Sequence, residues 1–182
     1  SPQFVFWGYQ DEMGESMKIL HIIAGAAQGG AESCAVDTIK ALHAAGIEQT
    51  LICRPHAAFQ TLVRDCAIDH HNLSFNRVLK WTQKAKINAI IKNEKPDLVH
   101  CWLNRAASFT PHQKTVPVLG WFGGYYDLKY YKSCDFFMGV TKDIVRYISN
   151  VTRTPDRAYV GHAFGTLETM GELKKSDYGI SD

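Results

Sequence analysis

The residues best placed to do chemistry form a glycine-rich turn, GAAQGGAES, running from Gly25 to Ser33. Paired glycines let a ligand approach the backbone closely, and the free amides of a helix start favour an anion. The spacing excludes two common phosphate motifs. A P-loop needs Lys and then Ser or Thr after its last glycine, whereas Ala31 and Glu32 follow Gly30. The dinucleotide GxGxxG pattern is absent as well. The next apolar run ends in Cys53-Arg54, without the acid that would hold a ribose. A tight turn that only shapes the chain stands beside the anion-binding reading.

Other candidates lie further on. His100 falls near the end of the apolar run LVHCWL and is followed by Asn104 and Arg105. That position suits a contact to a ligand hydroxyl, or a satisfied core histidine. Gly123-Gly124-Tyr125-Tyr126 and Lys129-Tyr130-Tyr131-Lys132 make an aromatic and basic loop. Aromatic faces stack on sugar rings, and lysines attract phosphate or carboxylate. The same tyrosines could instead pack on the domain's own surface. His70-His71 with Asp69 lacks third and fourth ligands at metal-site spacing, so no metal is expected there. The stretch Arg77 to Lys95 carries Arg77, Lys80, Lys84, Lys86, Lys92 and Lys95 against Glu94, with Trp81 and several isoleucines. It is expected to be a basic amphipathic helix, either a solvated face or one suited to anionic lipid.

These residues need elements to position them. Strands are expected at 18–24, 49–53, 68–73, 98–103, 116–121, 135–140 and 159–163. Helices are expected at 31–45, around 57–66, at 77–92 and at 142–149. Gly46 ends the first helix, and Pro96 stops the third. Apolar strands alternating with helices predict a parallel sheet covered on both faces. The fold class is therefore α/β, a doubly wound, mostly parallel sheet, whose ligands bind where strand carboxyl ends meet helix starts.

Composition agrees. The 182 residues suffice for one such domain at ~150 residues each. Hydrophobic residues make up 46% and charged residues 21%, which excludes a disordered or fibrous chain. A net charge of +2 advertises no nucleic-acid partner. Five dispersed cysteines without a CxxC pair suit a reducing, cytoplasmic compartment. No apolar run approaches the roughly 18 residues of a membrane span. Met17 is read as the start of the folded domain, after an extension over 1–16.

KILHIIAGAAQGGAE resembles the opening of the retaining glycosyltransferases of family 4, with their strand, Gly-Gly-Ala-Glu turn and helix. KPDLVHCWLNRA resembles that family's "KPDIVHxH" strand. The run from Val116 to Ile148, with GGYYDLKYYKSCD at its centre, resembles one branch of the family more specifically. YVGHAFGTLE falls where a "xIPNF" strand closes the first domain. The resemblance covers residues 17 to 182.

It implies a GT-B architecture of two Rossmann-like domains facing a cleft, of which this chain is the first, acceptor-side half. Residues 17–167 are then the domain and 168–182 the connecting segment, with the nucleotide-sugar domain missing. Gly29 and Gly30 are expected on the donor-phosphate side. His100, Asn104, Gly123, Gly124, Tyr125 and Lys129 are expected on the acceptor side. The co-substrate is a nucleotide-diphosphate sugar, the acceptor a glycan or lipid-linked glycan of lipopolysaccharide or polysaccharide biosynthesis, and no cofactor or divalent ion is required. Peripheral contact with the inner membrane face would follow from a lipid-linked acceptor. Two departures stand out. The "TxHG" histidine of many members is replaced within GWFGG by Phe122 or Gly123, which leaves the catalytic role unassigned, and Gly161-His162-Ala163 replaces Pro-Asn. A non-catalytic binding or regulatory module of the same fold is the alternative.

Overall fold

The structure is a computed structural model that describes residues 17–25, 29–55 and 57–162. The extension over 1–16, the connecting segment over 168–182 and the end of the expected last strand lie outside the described residues.

Seven strands and five α-helices alternate: β1 (Lys18–Ile23), α1 (Gly30–Ala44), β2 (Glu48–Cys53), α2 (Ala57–Cys66), β3 (Asp69–Asn72), α3 (Lys80–Glu94), β4 (Leu98–Trp102), α4 (Leu103–Phe109), β5 (Val118–Phe122), β6 (Phe136–Gly139), α5 (Lys142–Thr152) and β7 (Ala158–Val160). The strands form one sheet in the order β3-β2-β1-β4-β5-β6-β7, and every pairing is parallel. This is the doubly wound α/β fold that the alternation predicts.

The continuous apolar runs follow from burial on both faces. Leu20 and Ile22 of β1, Ile52 of β2 and Val99 and Cys101 of β4 join Ile87 and Ile91 of α3 in one core layer. Ile23, Leu51, Cys53 and Trp102 join Ile39 of α1 and Phe59 of α2 in the other. The amino edge of the sheet is pinned by charge. Lys18 Nζ lies 3.0 Å from both Glu48 and Glu94, and Glu94 also meets His71 at 3.2 Å. His71 is thus a structural partner at the end of α3.

The last helix runs on to Thr152, past the expected 149, and the last strand, expected at 159–163, is Ala158–Val160 and leaves Gly161 and His162 outside it. Three further differences have local causes. The third helix begins at Lys80, not Arg77, because the Asn76 side chain accepts from the Val78 amide (2.9 Å) and holds the chain in a turn. The strand expected at 116 begins at Val118. Pro117 has no amide to give, and its carbonyl accepts from Val99 N instead (3.0 Å). A helix, α4, follows β4 directly where none was expected. No side chain caps it, so no cap signal announces it.

Candidate active site at the carboxyl edge of the sheet

Strand order reverses between β1 and β4, the place where doubly wound sheets bind ligands. Ile23 pairs with both Cys53 and Trp102, so Ala24, Arg54 and Leu103 emerge level with one another. The turn after β1 leads into α1 with Gly29 in an extended N-cap conformation and Gly30 as first helical residue. The Glu32 carboxylate folds back against this turn. A Cβ at Gly25 or Gly29 would meet that carboxylate, so a larger residue at either position would displace the Glu32 side chain. Nothing lies within 4 Å of a Cβ built at Gly30, and Gly30 is exposed. Ala26 to Gln28 lie outside the described residues.

Beneath the turn runs a buried polar ladder. Trp102 Nε1 donates to His21 Nδ1 (3.3 Å), which puts the neutral ring's proton on Nε2, facing Gln49 Oε1 (3.1 Å). Gln49 in turn donates to the Ile39 carbonyl (3.1 Å). Burial holds the His21 pKa down to about 4. His100 belongs to this layer. Its ring centroid lies 4.5 Å from that of Trp102 and 5.4 Å from that of His21, and only 6% of the residue is exposed. Burial, with His21 beside it, keeps His100 neutral, and its Nε2 has no hydrogen-bond partner among the described residues. Trp102 packs on Trp121 of β5 at 5.1 Å, continuing the aromatic floor.

Asn104 and Arg105 lie in the first turn of α4, partly exposed. Leu103 before them has φ +66, an uncommon conformation for a bulky residue and one that gathers at functional sites. On the other flank, Phe122 ends β5 fully buried and stacked on Tyr131 (3.9 Å). It is a packing residue where the many family patterns have histidine. Gly123 and Gly124 follow, and a side chain at Gly123 would meet the Trp121 ring at 2.7 Å. Tyr125 is 63% exposed, donates its hydroxyl to Asp143 of α5 and meets Tyr147 edge-on (5.5 Å). The Asp143 bond favours the protonated phenol and raises the Tyr125 pKa. Lys129 lies on a short 3-10 turn, Leu128–Tyr131. Its ammonium is 2.6 Å from Asp127 and lies over the Tyr130 ring. That pairing with Asp127 lifts its pKa. The loop is therefore built from its own partners.

The glycine turn, Asn104 and the Gly123–Tyr125 loop thus share the carboxyl edge, while His100 lies within the sheet layer below it. Sequence reasoning missed a second feature of this edge. Arg54 after β2, Arg77 after β3 and Arg105 in α4 line a cleft of ≈ 580 Å³. The available signal was position, since each arginine follows a strand's carboxyl end within a few residues. Among the described residues no group of three or more His, Cys, Asp or Glu could hold a metal ion.

Comparison with known proteins gives relatives in sequence and in fold. Over 135 residues the chain is 29% identical to the lipopolysaccharide core biosynthesis glycosyltransferase LpsD of Rhizobium meliloti (strain 1021), covering 70% of this chain and 38% of LpsD. It is 30% identical over 140 residues to LpsE of the same organism, covering 74% of this chain and 40% of LpsE. The chain therefore spans about two fifths of the length of the curated relatives it matches. A glycosyltransferase structure from Rickettsia africae ESF-5 superposes with a TM-score of 0.62 at 20% identity, over 81% of this chain and 43% of that one, which places the sheet in the GT-B fold. Residues 28–162, from the glycine turn through β7, match the family model described as Glycosyltransferase Family 4. On a match of that extent the chain belongs to Glycosyltransferase Family 4.

Proposed function

We propose that this chain is the acceptor-side domain of a retaining glycosyltransferase. The enzyme would move a sugar from a nucleotide-diphosphate sugar to a glycan or lipid-linked glycan. The observation that carries this reading is the exposed Gly30 at the amino end of α1, beside the switch point between β1 and β4, with Asn104 after β4 and the Gly123–Tyr125 loop after β5 on the same carboxyl edge. Amides at a helix start suit the charge that develops on a departing diphosphate. An exposed tyrosine face suits a sugar ring. Asn104, Gly123, Gly124, Tyr125 and Lys129 would meet the acceptor, and Gly29 and Gly30 the donor phosphates. His100 would act from below, by fixing the Trp102 ring.

In this reading a second domain supplies the nucleotide-sugar pocket, and no divalent ion holds the diphosphate. The test is a nucleotide-sugar panel offered to the full-length protein with a truncated lipopolysaccharide acceptor, with and without EDTA. Transfer with retained anomeric configuration, undiminished by EDTA and absent from residues 1–182 alone, is expected. Robust transfer by residues 1–182 alone would overturn the division into two domains.

The reading extends to the membrane. Val78 and Trp81 are 89% and 87% exposed, beside Arg77 and Lys80. An apolar tip ringed by cations is suited to anionic lipid, and would hold the enzyme at the surface that carries a lipid-linked acceptor, on the cytoplasmic side. No helix among the described residues is long and apolar enough to cross a membrane.

A further inference from the structure

The arginine cleft has a charge imbalance that the fold does not resolve. Arg54 and Arg105 approach closely enough for Arg105 to depress the Arg54 pKa, after burial, and Arg77 lines the same space. The ion pairs among the described residues involve Lys18, Arg64, His71, Lys129 and Arg146 as cations, and none of the three cleft arginines. Arg54 is partly buried, and its Nε is buried without a hydrogen-bond partner among the described residues. A buried guanidinium N–H left unpaired is costly, and converging like charges add to that cost. A ligand able to accept from all three would remove both costs.

The cleft is also built to hold its shape. Phe75 carries φ +50 yet is fully buried, its ring 5.5 Å from Phe109 of α4. Buried Gln83 of α3 donates to Ser74 Oγ (3.0 Å) and reaches the Asn76 carbonyl. Among the described residues five non-glycine residues have positive φ, and three of them, Ala67, Lys95 and Arg153, lie just past helix ends, where that conformation is ordinary. The other two, Phe75 and Leu103, lie in the two turns that present Arg77 and Arg105.

We propose that this cleft binds an oxyanion carried by the acceptor glycan, a phosphate ester or a sugar carboxylate, and so selects anionic over neutral acceptors. The forked donors of arginine match either group, two parallel bonds at a time. The cleft gathers its arginines from the carboxyl ends of β2, β3 and β4, astride the switch point, and the aromatic loop follows β5 on the same carboxyl edge, along which a glycan would span both. The assignment rests on the acceptor-side reading given above.

The test is calorimetric titration of the intact protein with glucose 6-phosphate, galacturonate, glucose and UDP. At least one anionic sugar is expected to bind at least tenfold more tightly than glucose, more weakly as salt is raised, and without competition from UDP. The tighter of the two identifies the anion. Arg54→Gln and Arg105→Gln are each expected to weaken that binding about tenfold, one charged pair's worth, whereas Arg64→Gln on the exposed face of α2 leaves it unchanged. Circular dichroism checks that each variant is folded, and Arg54→Lys, keeping the charge without the fork, should recover only part of the binding. Anionic sugars that bind no better than glucose, binding unchanged in both glutamine variants, or displacement by UDP would each overturn the assignment. Because binding is read without turnover, an enzyme that transfers no sugar can still bind the anion, and an active enzyme can fail to.

Discussion

Gly30 separates a turn that holds a ligand from one that merely bends. A methyl there meets nothing within 4 Å, and the residue is the first of α1. Gly30→Ala should therefore keep or raise stability, by up to about 1 kcal/mol, since alanine loses less backbone entropy in a helix. If a diphosphate passes over the amide, the same methyl obstructs it. An unchanged or higher thermal midpoint with a donor KM at least tenfold higher is the expected pair of results, and unchanged kinetics would make the turn structural. His21 supports a prediction of a different kind. Its folded pKa of about 4 lies below the ordinary value of 6.5. Between those values the unfolded chain binds the proton and the folded chain does not, so acid favours unfolding. Stability should be full above about pH 6.5 and fall by about 3 kcal/mol as pH drops through about 4. Urea midpoints measured across that range should decline less steeply in His21→Gln, and parallel slopes would assign the acid sensitivity to other groups.

The helices differ in how visibly they announce themselves. The period of Ala35 and Ile39 and the closing Gly46 make α1 readable, and Thr141, which accepts from the Ile144 amide (3.2 Å), does the same for α5. The apolar runs of β1, β2 and β4 are readable because both faces of the sheet are covered. By contrast α4 is seven residues long, uncapped, and entered through a left-handed leucine, so tertiary packing rather than local preference creates it. The glycine turn could be found because its residues are contiguous. The arginine cleft could not, because Arg54, Arg77 and Arg105 are gathered only by the strand order. Positive φ at two helix boundaries gives a contrasting pair of predictions. Lys95, just past α3, is exposed with φ +48, so Lys95→Gly should raise stability by about 1 kcal/mol and shift the urea midpoint without changing its slope. Leu103 has the same backbone need, but its side chain packs against the core around Trp102. Leu103→Gly trades that packing for relief of strain, and no comparable gain is expected.

At the scale of the whole domain, the two ends of the sheet have divided tasks. The amino edge is closed by the Lys18, Glu48 and Glu94 cluster, which leaves the carboxyl edge open for ligands. The loop between β3 and α3 belongs to both the ligand edge and the outer surface. It carries Arg77 into the arginine cleft and then exposes Val78, Leu79 and Trp81 in succession at the start of α3. An acceptor whose anionic glycan projects from a membrane would meet both features on one approach. Membrane attachment through this tip predicts co-sedimentation with vesicles containing anionic phospholipid and much weaker retention on neutral ones. Each cation near an anionic surface contributes about 1 kcal/mol, and burying a large aromatic side chain contributes about 2 kcal/mol. Trp81→Ala should then lower the partition coefficient at least tenfold, and Lys80→Gln should lower it by less, with the Lys80 effect vanishing at high salt. Trp81 is 87% exposed, so its removal leaves the fold intact and any loss of binding reports the contact itself. Equal sedimentation with neutral and anionic vesicles would remove the cations from the argument, and an undiminished Trp81→Ala would remove the tip.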